Sequence, residues 1–338
     1  MPSLVKDIIE PEPNGRAQQV QQLRVDPESA GQRLDNFLLR HLKGAPKTLV
    51  YRIIRSGEVR INKGRASADT RVQDGDTVRV PPLRLSLPKP EGAAAPAREF
   101  PVLFEDDNLL AIDKPAGVAV HGGSGVSFGV IEQLRRARPS ARMLELVHRL
   151  DRETSGVLLV AKKRSALKHL QDQFRERETG KTYLALVQGQ WPSNRKVIDL
   201  PLEKFILAKG ESEGERRVRV VSKEDPNGMR AITLVKVAKL VGSCTLLEVT
   251  IKTGRTHQIR VHLASLGHPI VGDDKYGDFE YNRAMQKQGL KRMFLHAWRL
   301  QFRHPVNGDG VRLVSDLPPE LQQFVTTLQP PGDPHAPL

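Results

Sequence analysis

The sequence predicts an α+β protein of two unequal domains, and three observations carry that prediction. Short apolar runs with the period or burial of strands alternate with separate stretches of helical spacing. Residues 84–98, rich in Pro, Gly and Ala, interrupt both patterns as a linker does. Positive charge is concentrated on the near side of that interruption: residues 31–90 carry 13 Lys or Arg against 5 Asp or Glu. We therefore expect a small domain over residues 21–83, a linker over 84–98 and a large domain over 99–328. Polar, Pro-containing tails at 1–20 and 329–338 have little of their own to bury.

The whole chain of 338 residues has 53 Lys and Arg against 39 Asp and Glu, a formal charge of +14. Such a balance argues for a polyanionic partner, with nucleic acid ahead of a membrane surface. No run approaches the roughly 20 consecutive apolar residues that span a bilayer, and the N-terminus lacks the apolar core of a secretion signal. A single cysteine, Cys244, allows no intrachain disulfide and no Cys-rich zinc site. The expectation is a soluble, cytoplasmic protein, monomeric by default.

In the small domain, Leu34, Phe37, Leu38 and Leu42 fall at helical spacing. Gly44-Ala45-Pro46 breaks that helix and can open a second over residues 47–56, since proline suits a first turn. The second helix would bury Leu49, Val50, Ile53 and Ile54, turn Lys47, Arg52 and Arg55 outward, and end at Gly57. Residues 58–61 and 77–80 alternate like strands, with turns at Asn62-Lys63-Gly64 and Asp74-Gly75-Asp76. A basic helix beside a basic hairpin suits phosphate contacts on folded RNA, and Lys47, Arg52, Arg55, Arg60, Lys63 and Arg65 are the candidates. A solvated charged face is the plainer alternative.

The large domain opens with strands at 100–104 and 109–112 around an Asp106-Asp107-Asn108 turn. His121-Gly122-Gly123-Ser124-Gly125 lacks the Gly-Lys-Ser/Thr end of a phosphate loop. It is no serine-hydrolase elbow either, because Val126 stands where the second glycine is needed. A loop near the site is the better reading. Val157-Leu158-Leu159-Val160-Ala161 has no polar alternation, so it reads as a strand covered on both faces. At its mouth lies Asp151, flanked in sequence by Arg149 and Arg152, with Gly156 permitting a tight bend. Positive neighbours orient a carboxylate and favour its charged form, and a positioned carboxylate on a loop at a strand end suits covalent or base catalysis. A surface ion pair closing a turn explains the same spacing. Further on come an amphipathic helix at 165–178, a strand at 181–187 holding Tyr183, a charged hairpin or loop at 203–230, and a strand at 246–251. After the Thr253-Gly254 stretch, Ile259, Leu263 and Leu266 fall at helical spacing, Gly267 can cap the end and Pro269 lies beyond it. His257 and His262 are five apart with no carboxylate between, which does not fit a helical zinc pair, so no metal is expected.

The run His148-Arg149-Leu150-Asp151-Arg152-Glu153-Thr154-Ser155-Gly156 resembles the HRLDxxTSG signature of the pseudouridine synthases related to the ribosomal large-subunit enzymes. Lys114-Pro115-Ala116-Gly117 matches that family's Lys-Pro-x-Gly turn, Lys181-Thr182-Tyr183-Leu184 its second motif, and Gly254-Arg255-Thr256-His257-Gln258-Ile259-Arg260 its third. Residues 47–62 resemble the S4-type RNA-binding domain. The resemblance implies a small S4 domain followed by a catalytic domain on a mixed, largely antiparallel sheet with flanking helices. It implies isomerisation of uridine to pseudouridine in 23S ribosomal RNA or a large-subunit precursor, with no cofactor. Asp151 would be the catalytic carboxylate, Tyr183 would lie against the base, and Arg260 would pair with Asp151, Arg255 being the second choice. His148, Arg149, Arg152, Arg255 and His257 would line the substrate. Two other classes stay open on the residues alone: a non-catalytic, ribosome-associated S4 factor, and a glycosidic-bond hydrolase. The latter would usually show a second carboxylate, and Glu153 is too close in sequence to decide.

Overall fold

The computed structural model describes residues 20–42, 45–83, 95–122, 128–206 and 216–328. The tails, most of the linker and part of the His121 loop lie outside these residues. The chain divides into two compact units, Met1–Ala94 and Ala95–Leu338.

In the first unit, β1 (Gln21–Arg24), β2 (Arg60–Ile61), β3 (Gly64–Arg65) and β4 (Thr77–Val80) form an antiparallel sheet in the order β1-β4-β2-β3. Two helices, α1 (Leu34–His41) and α2 (Lys47–Arg55), pack on one another and on the sheet. Phe37, Leu38, Val50 and Ile53 are fully buried at the centre, as their spacing demands. The strand expected at 58–61 shortens to two residues at its start, because the Glu58 and Val59 N–H groups donate to the Ile53 carbonyl at the end of α2; Asn62 and Lys63, both at positive φ (47° and 70°), then turn the chain into β3. Lys47, Arg52, Arg55, Lys63 and Arg65 are exposed and Arg60 is half-buried. Tyr51, also on the outer face of α2, is held by the buried Asp35 carboxylate at 2.8 Å.

The second unit is built on one ten-stranded sheet. Its strands are β5 (Val102–Glu105), β6 (Leu109–Lys114), β7 (Glu145–Leu146), β8 (Ser155–Ala161), β9 (Gly180–Gln188), β10 (Val197–Asp199), β13 (Ile232–Val241), β14 (Cys244–Ile251), β15 (Leu295–Arg303) and β16 (Gly310–Val314). The main path runs β10-β13-β14-β9-β15-β8-β6-β5, with β7 added to β8 and β16 to β15. Every pairing is antiparallel except that of β8 with β15. Outside this sheet, β11 (Leu202–Ile206) and β12 (Arg216–Val220) form a hairpin where a charged hairpin or loop was expected.

All seven residues of β8 are buried, and its two faces have separate covers. Leu158 and Val160 pack under α3 (Val130–Ala137), while Val157, Leu159 and Ala161 pack under α4 (Arg164–Glu176). An unbroken apolar run is the sequence of a strand with helices on both sides. The remaining helices are α5 (Gln258–Ser265), α6 (Phe279–Lys287) and α7 (Pro319–Thr327).

Gly156 does not make the bend expected of it. It sits inside β8, at the parallel contact with β15, with φ at 112°. A Cβ there would lie 2.3 Å from the carbonyl oxygen of Ala297. Glycine is thus what lets the two backbones meet just after the Asp151 loop. Replacing Gly156 with Ala should destabilise the fold by roughly 3 kcal/mol or more, through strain and a backbone clash together. Urea unfolding of the variant beside the wild type measures this.

Candidate active site

The loop that joins β7 to β8 is fixed from several sides. Leu150 is buried in the core beneath α3. Lys114, fully buried at the end of β6, donates through Nζ to three carbonyl oxygens: Pro115 at 2.9 Å, Val118 at 2.8 Å and Arg152 at 3.1 Å. Burial and the Arg292 charge push this ammonium down to about 7. The Gly117 N–H donates to the same Arg152 carbonyl at 2.9 Å. At the far end, Ser155 Oγ accepts from Arg292 at 2.7 Å and meets Nδ1 of buried His296 at 2.8 Å. These contacts hold Asp151 out of the loop with its side chain 29% exposed.

Asp151, Tyr183 and Arg260 come together in one cleft of about 470 Å³, measured to include space open to solvent. Arg149, Arg255 and His257 line the same cleft. Tyr183 stands on β9 opposite Val249 of β14, half-buried between two core clusters. Burial and the neighbouring Asp151 charge raise its phenol above the ordinary value, so it stays protonated at neutral pH.

Arg260 projects from α5 and is 5% exposed. Its Nε and one terminal nitrogen form a two-pronged bond to Asp273, 2.7 Å on each prong. The other terminal nitrogen faces Asp151 Oδ2 at 3.4 Å. Burial alone would lower the guanidinium pKa, but Asp273 and Asp151 outweigh it and raise it. Burial likewise pushes the Asp273 carboxyl up, and the Arg260 fork with two backbone N–H groups overrides this and holds it below the ordinary value. The turn bearing Asp273 is tied down by Asn282, which accepts from Gly272 N–H at 2.7 Å and donates to the Asp273 carbonyl at 2.9 Å.

Not every expected residue is here. His148 stacks on Phe174 with ring centroids 4.9 Å apart, and its Nε2 accepts from Leu159 N–H at 3.1 Å. The ring serves the packing of α4 against β8, and burial with the Lys181 charge takes its pKa down to about 4. Arg152 places its guanidinium on Glu153 at 2.9 Å and is not part of the cleft lining. The charge facing Asp151 therefore comes from Arg260, 109 residues away in sequence, and not from an adjacent arginine. Arg255 donates through Nε to the Arg230 carbonyl at 3.2 Å. His262 is fully buried, bonded to Thr233 Oγ1 and the Leu200 carbonyl at 2.9 Å each.

Asp273 and Tyr276 are the residues that sequence reasoning missed. A usable signal existed: a buried guanidinium has five donors to satisfy. One partly exposed carboxylate could not meet that need, so a second acid was required nearby.

A carboxylate thus faces an arginine beside a protonated tyrosine in one cleft on a mixed sheet. Comparison with known proteins makes that specific. Residues 108–265 match the family model for RNA pseudouridylate synthase, and residues 32–78 match that for the S4 domain. The chain is 50% identical over 319 residues to the ribosomal large subunit pseudouridine synthase C of Pasteurella multocida, covering 92% of this chain and 95% of that one. The Yersinia pestis protein of the same name is 50% identical over 315 residues, covering 92% and 96%. Among solved structures, human RNA pseudouridylate synthase domain containing 4 superposes with a TM-score of 0.55 at 28% identity, over 68% of this chain and 92% of that one. The chain belongs to the RNA pseudouridylate synthase family. It is an isomerase with an S4 domain ahead of its catalytic domain, and the reading as a non-catalytic S4 factor gives way.

Asp273→Asn should lower turnover on the order of tenfold or more, equivalent to about 1.4 kcal/mol of barrier, with RNA affinity little changed. Single-turnover kinetics beside a binding titration test this. His148 gives a pH prediction. Between its folded value of about 4 and the ordinary 6.5 the unfolded chain binds more protons, so this share of stability is lost as pH falls through that window. Thermal unfolding from pH 7 to 4 should show the loss, and His148→Gln should flatten that slope.

Proposed function

We propose that this chain converts uridines of large-subunit (23S) ribosomal RNA, free or in a precursor particle, to pseudouridine. We assign Asp151 as the catalytic carboxylate, Tyr183 as the support for the base and Arg260 as the group that aims Asp151. The observation that carries the assignment is the meeting of these three side chains, from three separate elements, in one cleft. The substrate follows from the relatives, which bear the ribosomal large-subunit name.

In this reading the target uridine leaves its stack, at a cost of a few kcal/mol. Asp151 acts at the sugar or base, as a nucleophile or as the base that removes a ribose proton. The N1–C1′ bond breaks, the uracil turns, C5 bonds to C1′ and loses its hydrogen as a proton, and N1 takes up a proton in its place. The rearrangement is redox-neutral and needs neither an oxidant nor an activated donor. Tyr183 offers its ring face to the detached uracil and, as a neutral phenol, repels none of its charge. Arg149 and Arg255, at the cleft mouth, suit the flanking phosphates. Lys47, Arg52, Arg55, Arg60, Lys63 and Arg65 of the S4 unit add sequence-independent grip on folded RNA.

Release of tritium from C5-labelled uridine in 23S transcripts is the test. The wild type should release it. Asp151→Asn should lose at least about a thousandfold in rate, roughly 4 kcal/mol, with an unchanged melting temperature. Full turnover by that variant would remove Asp151 from the mechanism.

A further inference from the structure

Beside the Arg260 contact lies a second line of groups that ends on Asp151, and it runs through His257. His257 occupies the residue just before α5 and adopts φ 52°, whereas a residue in that position ordinarily takes an extended conformation. Among the described residues with a side chain and positive φ, Asn62 and Lys63 form a hairpin turn and Arg177 closes a helix. At His257 the left-handed backbone is instead accompanied by a ring lodged in the cleft. Its Nε2 faces Asp151 Oδ1 at 3.9 Å, on the carboxylate oxygen that Arg260 does not face.

The opposite edge of the ring is held. Nδ1 of His257 lies 2.8 Å from Tyr276 Oη, and the same phenol oxygen accepts from the Val218 N–H of β12 at 3.1 Å. With the Val218 donor on one lone pair, we assign the phenol's own proton to the bond with Nδ1. That makes Nδ1 an acceptor and puts the imidazole proton on Nε2, the atom turned to Asp151. Burial lowers the pKa of His257, against the pull of the Asp151 charge, which keeps this ring neutral at neutral pH. The Arg260 guanidinium lies over the Tyr276 ring, 5.1 Å from its centroid, so the ring packs against the same cation that faces Asp151.

We propose that His257 is a positioning residue for the isomerisation: a neutral imidazole, locked by Tyr276 in its Nε2–H form, that donates to Asp151 Oδ1 while Arg260 takes Oδ2. The separation of 3.9 Å is longer than a hydrogen bond, and a shift of about 1 Å, of the kind that tightens catalytic contacts when substrate seats, makes it one. Held on both oxygens by donors from α5 and the residue just before it, the carboxylate is fixed in rotation and keeps one lone pair on each oxygen for the nucleotide. The proposal rests on the assignment of Asp151 as the catalytic group.

The experiment is a kinetic cycle on the full-length protein with 23S transcripts, by tritium release, using His257→Phe, His257→Gln, Tyr276→Phe and the double variant His257→Phe with Tyr276→Phe. His257→Phe should lower kcat by roughly 10- to 100-fold, with KM and the unfolding midpoint close to wild type. His257→Gln, whose amide nitrogen can occupy the Nε2 position, should recover most of that loss. Tyr276→Phe should lower kcat by a smaller factor and cost almost nothing further once His257 is Phe, as expected for groups that act in series. A merely structural histidine would lower the unfolding midpoint and would not be rescued by Gln. Unchanged kcat in His257→Phe, a rise in KM alone, or strictly additive effects would overturn the proposal. Asp151→Asn runs alongside: its retained activity would sink the parent assignment, whereas an inactive Asp151→Asn with a fully active His257→Phe would sink only this one.

Discussion

One cation buried among three acids governs the catalytic unit. Arg260 is almost wholly removed from water, and leaving such a charge uncompensated would cost several kcal/mol. Asp273 meets that demand with a two-pronged bond, which fixes the plane of the guanidinium. Because Asp273 occupies two of its nitrogens, the third points in a set direction, toward Asp151. Asp274, far more exposed, adds only a weak contact at 3.7 Å. Lysine could supply the charge but not this division of labour, since an ammonium has no fixed fork.

The sheet fixes where these side chains meet. β8 and β9 present Asp151 and Tyr183 from strands separated by β15, and α5 brings Arg260 over the same end. The apolar cover on both faces of β8 makes its register costly to shift, because a slip of one residue would exchange its two sets of core contacts. Lys114 then couples the end of β6 to the backbone beside Asp151.

Much of this was legible in the chain. The two-faced burial of β8 followed from an apolar run without alternation, and the helices of the first unit from their spacing. That Asp151, Tyr183 and Arg260 share one cleft was foreseeable only through motif resemblance, since nothing in the local pattern distinguishes Tyr183 from any half-buried strand tyrosine. What sequence could not show was direction. His148 and Arg149 are adjacent, yet one turns beneath α4 and the other lines the cleft. Arg152 and Asp151 are adjacent, yet their side chains find different partners. Asp273 was invisible for a related reason: its role is defined by a buried side chain 13 residues earlier, and only burial reveals the need for it.

The parallel contact of β8 with β15 also bears on the order in which the protein comes into being. Ser155 and His296 are 141 positions apart, and Asp151 and Arg260 are 109 apart. Contacts of such long range carry a loop-closure cost that slows folding. The four-stranded S4 unit is closed by contacts among its own residues, whereas the Asp151 loop takes its far anchor from β15. The first unit thus closes on contacts within residues 21–83, and the Asp151 loop waits for an anchor made more than a hundred residues later.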